Sequence, residues 1–343
     1  MSEIKASKDE LLRITGPASL IIEEGKALIL GAEYEKGDRI VVRRTRTLCM
    51  KVLEDLYMRG IIGEGGKLER PAPSDEVVDN WMELSELIVS AESKPTIILV
   101  VGPVESGKTS FSITLANTSY YKMMKTYVVD GDVGQTDIGC PGFVSASRVN
   151  SRILYLSDLK PEIMRFVGYI SPMPNPTAVS SAIYDITNNV VTAGAEIVII
   201  NTDGWLNSLE SIMAKIGLVK LVKPDYVITL LPEDYTWVYN SLKRKLQGYC
   251  GRIIRAKSPA IKRVRSREER KILREQAYTR MLANANIVKL SLNEVSFINT
   301  RLFTGNPLSR SEIEEISRKC NIKVVYCEVA GNHAIIVVDD TDL

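Results

Sequence analysis

The stretch TIILVVGPVESGKTS, residues 96–110, decides the fold of this protein. Six apolar or β-branched residues run into Gly102, and a second glycine, Gly107, follows after four further residues. The apolar run is typical of a strand covered on both faces, and SFSITLANTS after the second glycine continues as a helix. A buried strand, a glycine turn and a helix in this order predict an α/β domain with a parallel sheet.

The alternation of strands and helices continues beyond this stretch. The predicted strands are TIILVV, KTYVVD, RILYLS, RFVGYIS, EIVIIN, DYVITLL and GRIIRA. Helical segments such as AVSSAIYDITNNVVTAG and SLESIMAKIGLVKLV lie between them. Because continuous β-branched runs indicate strands that are buried on both faces, we expect a parallel sheet with helices on either side.

The two ends of the chain have different patterns. Residues 10–50 contain short apolar runs broken by glycine turns, which predicts a β-rich N-terminal domain, and residues 60–75 have the composition of a linker. SDEVVDNWMELSELIVSAES then begins with an N-cap signal and continues in helical period. Near the C-terminus, NIVKLSLNEVSFINTRLF and NIKVVYCEVAGNHAIIVVDD flank one helix, SRSEIEEISRKC. The expected domains are therefore 1–73, β-rich with its linker; 74–285, the α/β domain; and 286–343, a small α+β domain.

Composition excludes several classes of protein. The hydrophobic fraction of 45% and charged fraction of 25% are ordinary for a globular chain, and no apolar run reaches the roughly 18 residues of a membrane helix. The polar start MSEIKASKDE has no signal-peptide core, so we expect a cytoplasmic protein, or a nuclear one in a cell with a nucleus. Five cysteines without a C-x-x-C pair argue against a zinc site. Any chemistry must run without histidine, because the one histidine, His333, is expected in a turn at a strand start.

The glycine turn fits the phosphate-loop (P-loop) pattern G-x4-G-K-T in full. Glycines let the backbone curl so that successive N–H groups point at an anion, and the following helix adds its positive N-terminal end. In this pattern Lys108 reaches the β- and γ-phosphates, and the Thr109 hydroxyl binds Mg²⁺. The residues expected to line the phosphates are Gly102, Pro103, Val104, Glu105, Ser106, Gly107, Lys108, Thr109 and Ser110.

A second group of polar residues follows the next strand, in VVDGDVGQTDIG. Asp130 and Asp132 alternate, so both should point to the same side where the strand ends, at the edge where α/β sheets bind ligands. Two carboxylates there can hold hydrated Mg²⁺ or accept a hydroxyl proton. Gln135 could orient a nucleophile or a metal-bound water. A plain turn rich in Asp and Gly is the alternative.

Two further features are compatible with an anionic polymer. Trp205 follows the strand in IVIINTDGWLNS, where an indole can stack on a base or simply pack in the core. From Lys243 to Arg274 there are 13 Lys or Arg against two Glu, and KRVRSREERKILREQAY looks helical from about Ser266. Arg265 and Arg270 in this segment can clamp phosphates, although a solvated basic helix gives the same pattern.

In this order, the motifs resemble those of the polynucleotide 5′-hydroxyl kinase family. That family includes the kinases of eukaryotic pre-mRNA 3′-end cleavage, tRNA splicing and pre-rRNA processing, and their archaeal relatives. The resemblance rests on GPVESGKT, on DVGQ at 132–135, on TDGW at 202–205, on FVGYISP, and on RSREER, in which Arg265 and Arg270 lie five residues apart. It covers roughly residues 96–280. The N-K-x-D string of guanine-specific P-loop proteins and the KGG form of partitioning ATPases are both missing from the sequence.

The resemblance implies a reaction and a role for each motif. ATP, with Mg²⁺ held by Thr109 and Asp132, would give its γ-phosphate to the 5′-hydroxyl of RNA or DNA. Asp132 would accept the hydroxyl proton, and Gln135 would support the geometry of the metal or water. Catalytic roles are thus implied for Lys108, Asp132, Gln135, Arg265 and Arg270, and contacts to the strand for Thr202, Gly204 and Trp205.

Two other functions are compatible with the same motifs. The chain could be a P-loop switch that hydrolyses nucleotide without a nucleic-acid substrate, or an ATP-binding scaffold of an RNA-processing complex without kinase turnover. Intact Lys108, Thr109 and Asp132 argue against the scaffold. The sequence predicts a nucleic-acid partner and no membrane partner, and it does not separate RNA from DNA.

Overall fold

Alternating apolar and polar residues at the N-terminus form a seven-stranded antiparallel sheet. The computed structural model describes residues 2–260, 265–289 and 302–339. The strands of this sheet are β1 (Ser2–Ala6), β2 (Leu11–Thr15), β3 (Ala18–Ile29), β4 (Ala32–Glu35), β5 (Arg39–Val42), β6 (Thr47–Ile62) and β7 (Lys67–Glu69). β6 pairs with β1, β2 and β3, while β3 also pairs with β4 and β5. Inward-facing residues such as Leu20, Ile22 and Met50 are fully buried and form its core.

Part of the predicted linker at residues 60–75 is wrong, because it belongs to the sheet. β6 continues to Ile62, and β7 pairs with β2, with Ile14 opposite Leu68. The helix predicted after this segment is present, but it begins at Val78 without a side-chain cap. Glu76, just before it, forms an ion pair with Arg13 at 2.6 Å. The Ser-Asp pair that signalled the cap lies instead in a short 3-10 turn, Pro73–Asp75, ahead of the helix.

The central sheet surrounds the strand at 96–101. Its members are β8 (Thr96–Val101), β9 (Thr126–Gly131), β10 (Phe143–Arg148), β11 (Ile163–Phe166), β12 (Ile197–Thr202), β13 (Tyr226–Leu230) and β14 (Arg252–Ala256), in the order β11-β10-β9-β12-β8-β13-β14. The five strands from β9 to β14 in this order are parallel, and β10 and β11 add an antiparallel edge. The α/β P-loop fold class predicted from the sequence is therefore confirmed.

Helices cover both faces of the central sheet. The helices are α1 (Val78–Val89), α2 (Lys108–Tyr121), α3 (Pro176–Thr192), α4 (Leu209–Val222), α5 (Thr236–Lys245) and α6 (Arg267–Leu282). One apolar core lies under α1 and α2, and the other lies under α3, α4 and α5. Helix α6 begins after Ser266 with a capping box, which confirms the start predicted for the basic helix. Within the described part of the chain, no helix has the length and apolar content needed to cross a membrane.

Two predicted strands are corrected by the structure. RILYLS, residues 152–157, is not a strand, because Asp158 accepts the N–H groups of Leu154 and Tyr155 and closes a turn, while Asn117 binds the backbone of Ile153. RFVGYIS, residues 165–171, is a strand only to Phe166. Strand β10 was not predicted, because its sequence FVSASR has small polar residues where an apolar run is expected.

The chain divides into two compact units, Met1–Asn284 and Ala285–Leu343. The second unit contains α7 (Arg310–Cys320) and a sheet of β15 (Asn306–Pro307), β16 (Val324–Ala330) and β17 (His333–Val338). His333 is exposed and begins β17, as predicted. Most of NIVKLSLNEVSFINTRLF lies outside the described residues. The division between residues 1–73 and 74–285 stays a prediction, because residues 1–284 form one unit.

Candidate active site

The P-loop turn connects β8 to α2, and its geometry requires its glycines. Gly107 is the N-cap of α2 with φ of 98°, a left-handed conformation that side chains disfavour. A Cβ at Gly107 would lie 2.9 Å from the Trp81 ring, and one at Gly102 would lie 2.5 Å from the Leu230 carbonyl oxygen. Glu105 also has a positive φ, of 62°. The chain therefore curls tightly in front of the helix N-terminus, as an anion-binding turn requires.

Lys108 lies inside this turn and is 8% exposed. Its Nζ donates hydrogen bonds to the carbonyl oxygens of Gly102, at 2.8 Å, and Pro103, at 2.7 Å. Burial lowers the pKa of Lys108 to about 8, while the carboxylates of Asp132 and Asp203 act in the opposite direction. The ammonium is thus a buried cation, fixed at the place where this turn would hold phosphate oxygens.

Asp130 and Asp132 have different environments. The alternation of residues along the strand had predicted that both side chains point to the same side. Asp130 is 1% exposed, and its Oδ2 accepts the backbone N–H groups of Asp137, at 2.7 Å, and Ile138, at 3.1 Å. Burial, followed by the Asp137 and Asp132 carboxylates, raises the pKa of Asp130 to about 7. Only Asp132 of this pair lines the cleft described below. Asp130 therefore holds the turn after β9 in place.

Asp132 is half-buried and stands at the opening of that turn. Its Oδ1 accepts the N–H groups of Gly134, at 3.1 Å, and Gln135, at 2.9 Å, so the carboxylate orientation is fixed by the backbone. Burial is the main cause that raises the pKa of Asp132, the Asp203 carboxylate adds to it, and the Gln135 N–H and Lys108 oppose it. A carboxylate with a raised pKa is a better proton acceptor than one in water.

Gln135 connects the turn after β9 to helix α6. Its Nε2 donates to the carbonyl oxygens of Gly134, at 2.9 Å, and Arg270, at 3.3 Å. Its Oε1 is buried and has no hydrogen-bond partner among the described residues. A buried acceptor without a partner costs free energy, so this oxygen is available to a donor that enters the cleft.

The segment Thr202–Trp205 packs directly on the P-loop. The Thr202 hydroxyl donates to the Val100 carbonyl oxygen at 2.7 Å. A Cβ at Gly204 would lie 2.6 Å from the Val104 side chain and 2.8 Å from its backbone, so only glycine permits this approach. Trp205 is half-buried and lines the cleft, and it belongs to none of the apolar cores. The core alternative for Trp205 is therefore wrong in this structure.

A buried ion pair supports Trp205, and sequence reasoning missed it. Asp203 Oδ2 lies 2.5 Å from Lys215 Nζ of α4, and both side chains are almost fully buried. Asp203 Oδ1 accepts the Trp205 N–H at 2.8 Å. Asp203, the second residue of TDGW, thus fixes the backbone that carries the indole. One signal in the sequence could have indicated this ion pair. Lys215 occupies a buried position of α4, and most of the other buried positions of that helix are apolar.

Helix α6 lies over the P-loop and is held there by Glu105. Glu105 Oε1 accepts the Arg265 N–H at 2.6 Å and lies 3.5 Å from Arg270 Nη2. The Tyr278 hydroxyl donates to the Pro141 carbonyl oxygen at 3.0 Å, and Ala277 is buried. Most of the helix is exposed to solvent, but it is anchored through these contacts, and two arginines of the basic segment meet the P-loop through one carboxylate.

These elements form one cleft of about 690 Å³. It is lined by the predicted residues Pro103, Val104, Glu105, Ser106, Gly107, Lys108, Thr109, Ser110, Asp132, Gln135, Thr202, Gly204, Trp205, Arg265 and Arg270. Gly102 is not on the wall and only shapes the turn. Sequence reasoning missed two lining residues from elsewhere in the chain, Arg46 from the loop after β5 and Trp81 of α1. It quoted FVGYISP and the basic segment but gave no site role to the turn 170–172 or to Arg274, which also line the cleft.

Comparisons with known proteins agree with this arrangement. A family model described as mRNA cleavage and polyadenylation factor CLP1 P-loop matches residues 102–284. A polyribonucleotide 5′-hydroxyl-kinase of Thermococcus kodakarensis is 30% identical over 248 residues, which cover 71% of this chain and 68% of the relative. One from Pyrococcus horikoshii is 26% identical over 253 residues, covering 74% and 68%.

A solved structure supports the fold. The chain of a wild-type Clp1p–Pcf11p complex matches with a TM-score of 0.63 at 14% identity, covering 81% of this chain and 71% of that one. At this identity the likeness concerns architecture alone. The family model, in contrast, spans the P-loop, the DVGQ and TDGW motifs and the arginines of α6. The resemblance that these motifs indicated is confirmed: the chain belongs to the CLP1 P-loop family, the family of the polynucleotide 5′-hydroxyl kinases.

Proposed function

We propose that this protein transfers the γ-phosphate of ATP to the 5′-hydroxyl end of RNA and/or DNA. The observation that carries the proposal is the single cleft in which the P-loop, Asp132, Trp205 and the arginines of α6 meet. The names of the archaeal relatives support the same reaction. Phosphoryl transfer depends on positioning and charge stabilisation, so it needs no histidine.

The triphosphate binds in the turn before α2. Backbone N–H groups and the positive end of α2 face its phosphates, and the Lys108 ammonium neutralises charge between the β and γ positions. The buried position of Lys108 keeps water away from this charge, which strengthens the interaction.

Thr109 and Asp132 are the residues that would hold a Mg²⁺ ion. Hydroxyl and carboxylate oxygens are suitable ligands for this metal, and both side chains line the cleft. Asp132 uses Oδ1 for two backbone N–H groups, and among the described residues no hydrogen bond engages its Oδ2. The donor set therefore fits. When bound, Mg²⁺ supplies charge neutralisation at the β- and γ-phosphates.

Asp132 is the proposed base. Its carboxylate takes the proton of the 5′-hydroxyl as that oxygen forms its bond to the γ-phosphorus. The bond from the γ-phosphorus to the β,γ-bridging oxygen breaks, and ADP leaves with the electron pair. Gln135 keeps the turn around the base in place through its amide, and its buried Oε1 can accept a hydrogen bond from the hydroxyl group or from a metal-bound water.

The strand end and the transferring group are held by two walls of the cleft. Trp205 stacks on the terminal base, which any base permits because every base has a π-face. Arg265 and Arg270 stabilise the charge on the transferring phosphoryl group from the side of α6. Glu105 places both arginines beside the P-loop.

A scaffold that binds ATP without turnover is the second reading of the motifs. No observation in the cleft favours it, because the cation, the carboxylate and the stacking surface all line the same space. A P-loop switch releases phosphate without labelling a strand. Such a function does not explain why Trp205 and the arginine-bearing helix line the cleft.

The test is a transfer assay with γ-labelled ATP and two oligonucleotides of matched sequence, one RNA and one DNA, each with a 5′-hydroxyl. We expect label on at least one strand, dependent on Mg²⁺, with little free phosphate. Release of labelled phosphate at the same rate with and without a strand would support the switch instead. Binding of ATP without either product would support the scaffold.

A further inference from the structure

A second pocket of about 510 Å³ adjoins the cleft and is rich in arginine. One wall is the loop 43–46 between β5 and β6, and the other is helix α6. Among the residues that the structure describes, six arginines and two carboxylates line it, and we call it the arginine pocket. The arginines are Arg43, Arg44, Arg46, Arg265, Arg274 and Arg280.

The two carboxylates of the arginine pocket already have partners. Asp137 accepts two contacts of 2.8 Å from Arg46, and Glu269 accepts the Ser266 N–H at 2.9 Å in the capping box of α6. Among the described residues, Arg274 and Arg280 form no ion pair with a carboxylate of the protein. Arg43 also has a carboxylate partner, Asp158, at 3.1 Å. The six arginines still outnumber these three carboxylates, and the excess of positive charge suits an anionic ligand.

The arginine pocket and the cleft adjoin each other and share part of their lining. Both are lined by Arg46, Gln135, Asp137, Arg265 and Arg274. The turn after β9 runs from the proposed base, at 132, to the floor of the arginine pocket, at 135–137. The arginine pocket therefore begins beside the same turn that carries the proposed base, so a strand whose 5′ nucleotide lies at the base has this pocket as a neighbouring surface.

The walls also fit the chemistry of a nucleotide chain. Arginine binds phosphate oxygens with two parallel hydrogen bonds, which lysine does not do as well. Between the arginines lie Ile272, half of which is exposed, and Leu273, which offer apolar contact to sugars or bases. The buried Ala277 and the Tyr278 hydrogen bond to Pro141 hold this face of α6 in place.

We infer that the arginine pocket binds the phosphodiester backbone of the substrate strand behind its 5′ nucleotide. The inference rests on the proposed function and deepens it, because it makes the N-terminal sheet, through the loop 43–46, a part of the strand-binding surface. Contacts to phosphates carry no sequence information, so the site accepts any sequence. Its effect grows with strand length, since a strand too short to reach the pocket gains nothing from it.

The test uses Arg44→Ala/Arg280→Ala, which removes one charge from each wall. Both residues are exposed, and neither lines the cleft where the chemistry is proposed. The matched control is Arg39→Ala/Lys271→Ala, which removes two exposed charges from β5 and α6 outside the pocket. The substrates are 5′-hydroxyl strands of one to eight nucleotides, the shortest being a nucleoside 3′-phosphate.

We expect KM of the wild-type protein to fall with strand length. In the double variant, KM for the longest strand should rise about 5- to 30-fold, while kcat, KM for ATP and KM for the nucleoside 3′-phosphate stay unchanged. The logarithm of the association constant for the strand falls linearly with the logarithm of the salt concentration. If both arginines contact phosphates, the slope of this line should be shallower by about 1.4 in the double variant, at roughly 0.7 for each contact to a single strand. The control variant should match the wild type.

Strand affinity is measured in parallel, by fluorescence anisotropy of a labelled eight-nucleotide strand without ATP. If the double variant binds the strand more weakly than both the wild type and the control variant, the inference is supported. This holds even if no strand is phosphorylated, a result that would contradict only the proposed function. Equal binding by the double variant and the wild type would overturn the inference. An equal loss in the control variant, or a rise in KM for ATP in place of that for the strand, would overturn it as well.

Discussion

Asp130 and Asp132 are separated by one residue but have different roles in this protein. Asp130 is buried and holds the turn after β9 with its hydrogen bonds, and Asp132 faces the cleft. The difference arises because the chain turns at 132, so the alternation that holds within a strand no longer applies there. Position along the strand is therefore a poor guide to which carboxylate contacts a substrate.

Asp132→Asn should keep ATP binding and lower turnover by roughly 10²-fold or more, the scale of a lost general base. Asp130→Asn should keep turnover in the folded protein but lower its stability by about 1–3 kcal/mol, because it disturbs buried hydrogen bonds. Single-turnover kinetics of both variants measure the change in turnover, and thermal melting measures the change in stability. A stable but inactive Asp130→Asn beside an active Asp132→Asn would transfer the role of base to Asp130.

Trp205→Ala should raise KM for the strand and leave KM for ATP and the melting temperature nearly unchanged, because the indole lines the cleft and not a core. Trp81→Ala is the matched control. Trp81 is 4% exposed, stands edge-on to Phe111 and donates to the Lys257 carbonyl oxygen, so its loss should destabilise the protein by about 3–5 kcal/mol. A large loss of melting temperature in Trp205→Ala with normal strand affinity would contradict the stacking role.

At this scale, the sequence predicted nearly every lining residue that belongs to a motif. It could not predict Asp203 or Lys215, because a buried ion pair between a strand end and a helix depends on how the two elements pack. It could not predict Arg46 either, because the N-terminal sheet and the cleft are joined by tertiary contacts across 91 residues of chain, as in the Arg46–Asp137 pair. Short-range patterns carry no information about such contacts.

At the scale of elements, helix α6 and the P-loop form one unit through Glu105. The carboxylate accepts a backbone N–H at the start of the helix and lies beside Arg270, so the helix and the phosphate site share a contact. Glu105 is a positioning residue in this account, since it acts through the arginines.

Arg270→Ala should lower kcat by about 10²-fold or more with little change in KM for ATP, as expected for an arginine that stabilises the transferring group. Lys271→Ala, the next residue on the helix, should behave as the wild type. Glu105→Ala should lower kcat less than Arg270→Ala, and the double variant should be no worse than Arg270→Ala alone, because contacting residues are not additive. Fully additive effects on kcat would show that Glu105 does not act through Arg270.

Helices and parallel strands were predicted better than the antiparallel edge of the sheet. β8, β12 and β13 are continuous β-branched runs, so their burial is visible in the sequence. RILYLS is equally apolar, but the side chains of Asn117 and Asp158 satisfy its backbone in place of a neighbouring strand. An apolar run shows that a segment is buried and does not show what its backbone binds.

At the scale of the whole molecule, side-chain contacts attach the N-terminal sheet to the α/β domain. Asn117 of α2 donates from Nδ2 to the carbonyl oxygens of Leu30, at 2.8 Å, and Ile153, at 2.9 Å, and its Oδ1 accepts the Ile153 N–H. Arg152 binds the Asp38 carboxylate. These contacts place the loop 43–46 beside the cleft, which is why the N-terminal sheet can contribute to strand binding.

Asn117→Ala should lower the free energy of unfolding by at least about 2 kcal/mol, because it leaves buried backbone groups without partners, each costing about 1–3 kcal/mol. Asn188→Ala, at an exposed position of α3, is the control and should leave stability nearly unchanged. Chemical denaturation of both variants measures the difference. Equal stability of the two variants would mean that Asn117 does not hold the sheet to the α/β domain.

The most direct test of the central claim is the position of the transferred phosphate. A 5′-hydroxyl strand labelled from γ-labelled ATP is digested to nucleoside 5′-monophosphates, with Lys108→Ala as the inactive control. We predict that all label is recovered on the original 5′-terminal nucleotide, that a strand already carrying a 5′-phosphate receives none, and that Lys108→Ala labels nothing. Label on internal nucleotides, on a 5′-phosphorylated strand, or on the strand incubated with Lys108→Ala at the wild-type rate would contradict the account.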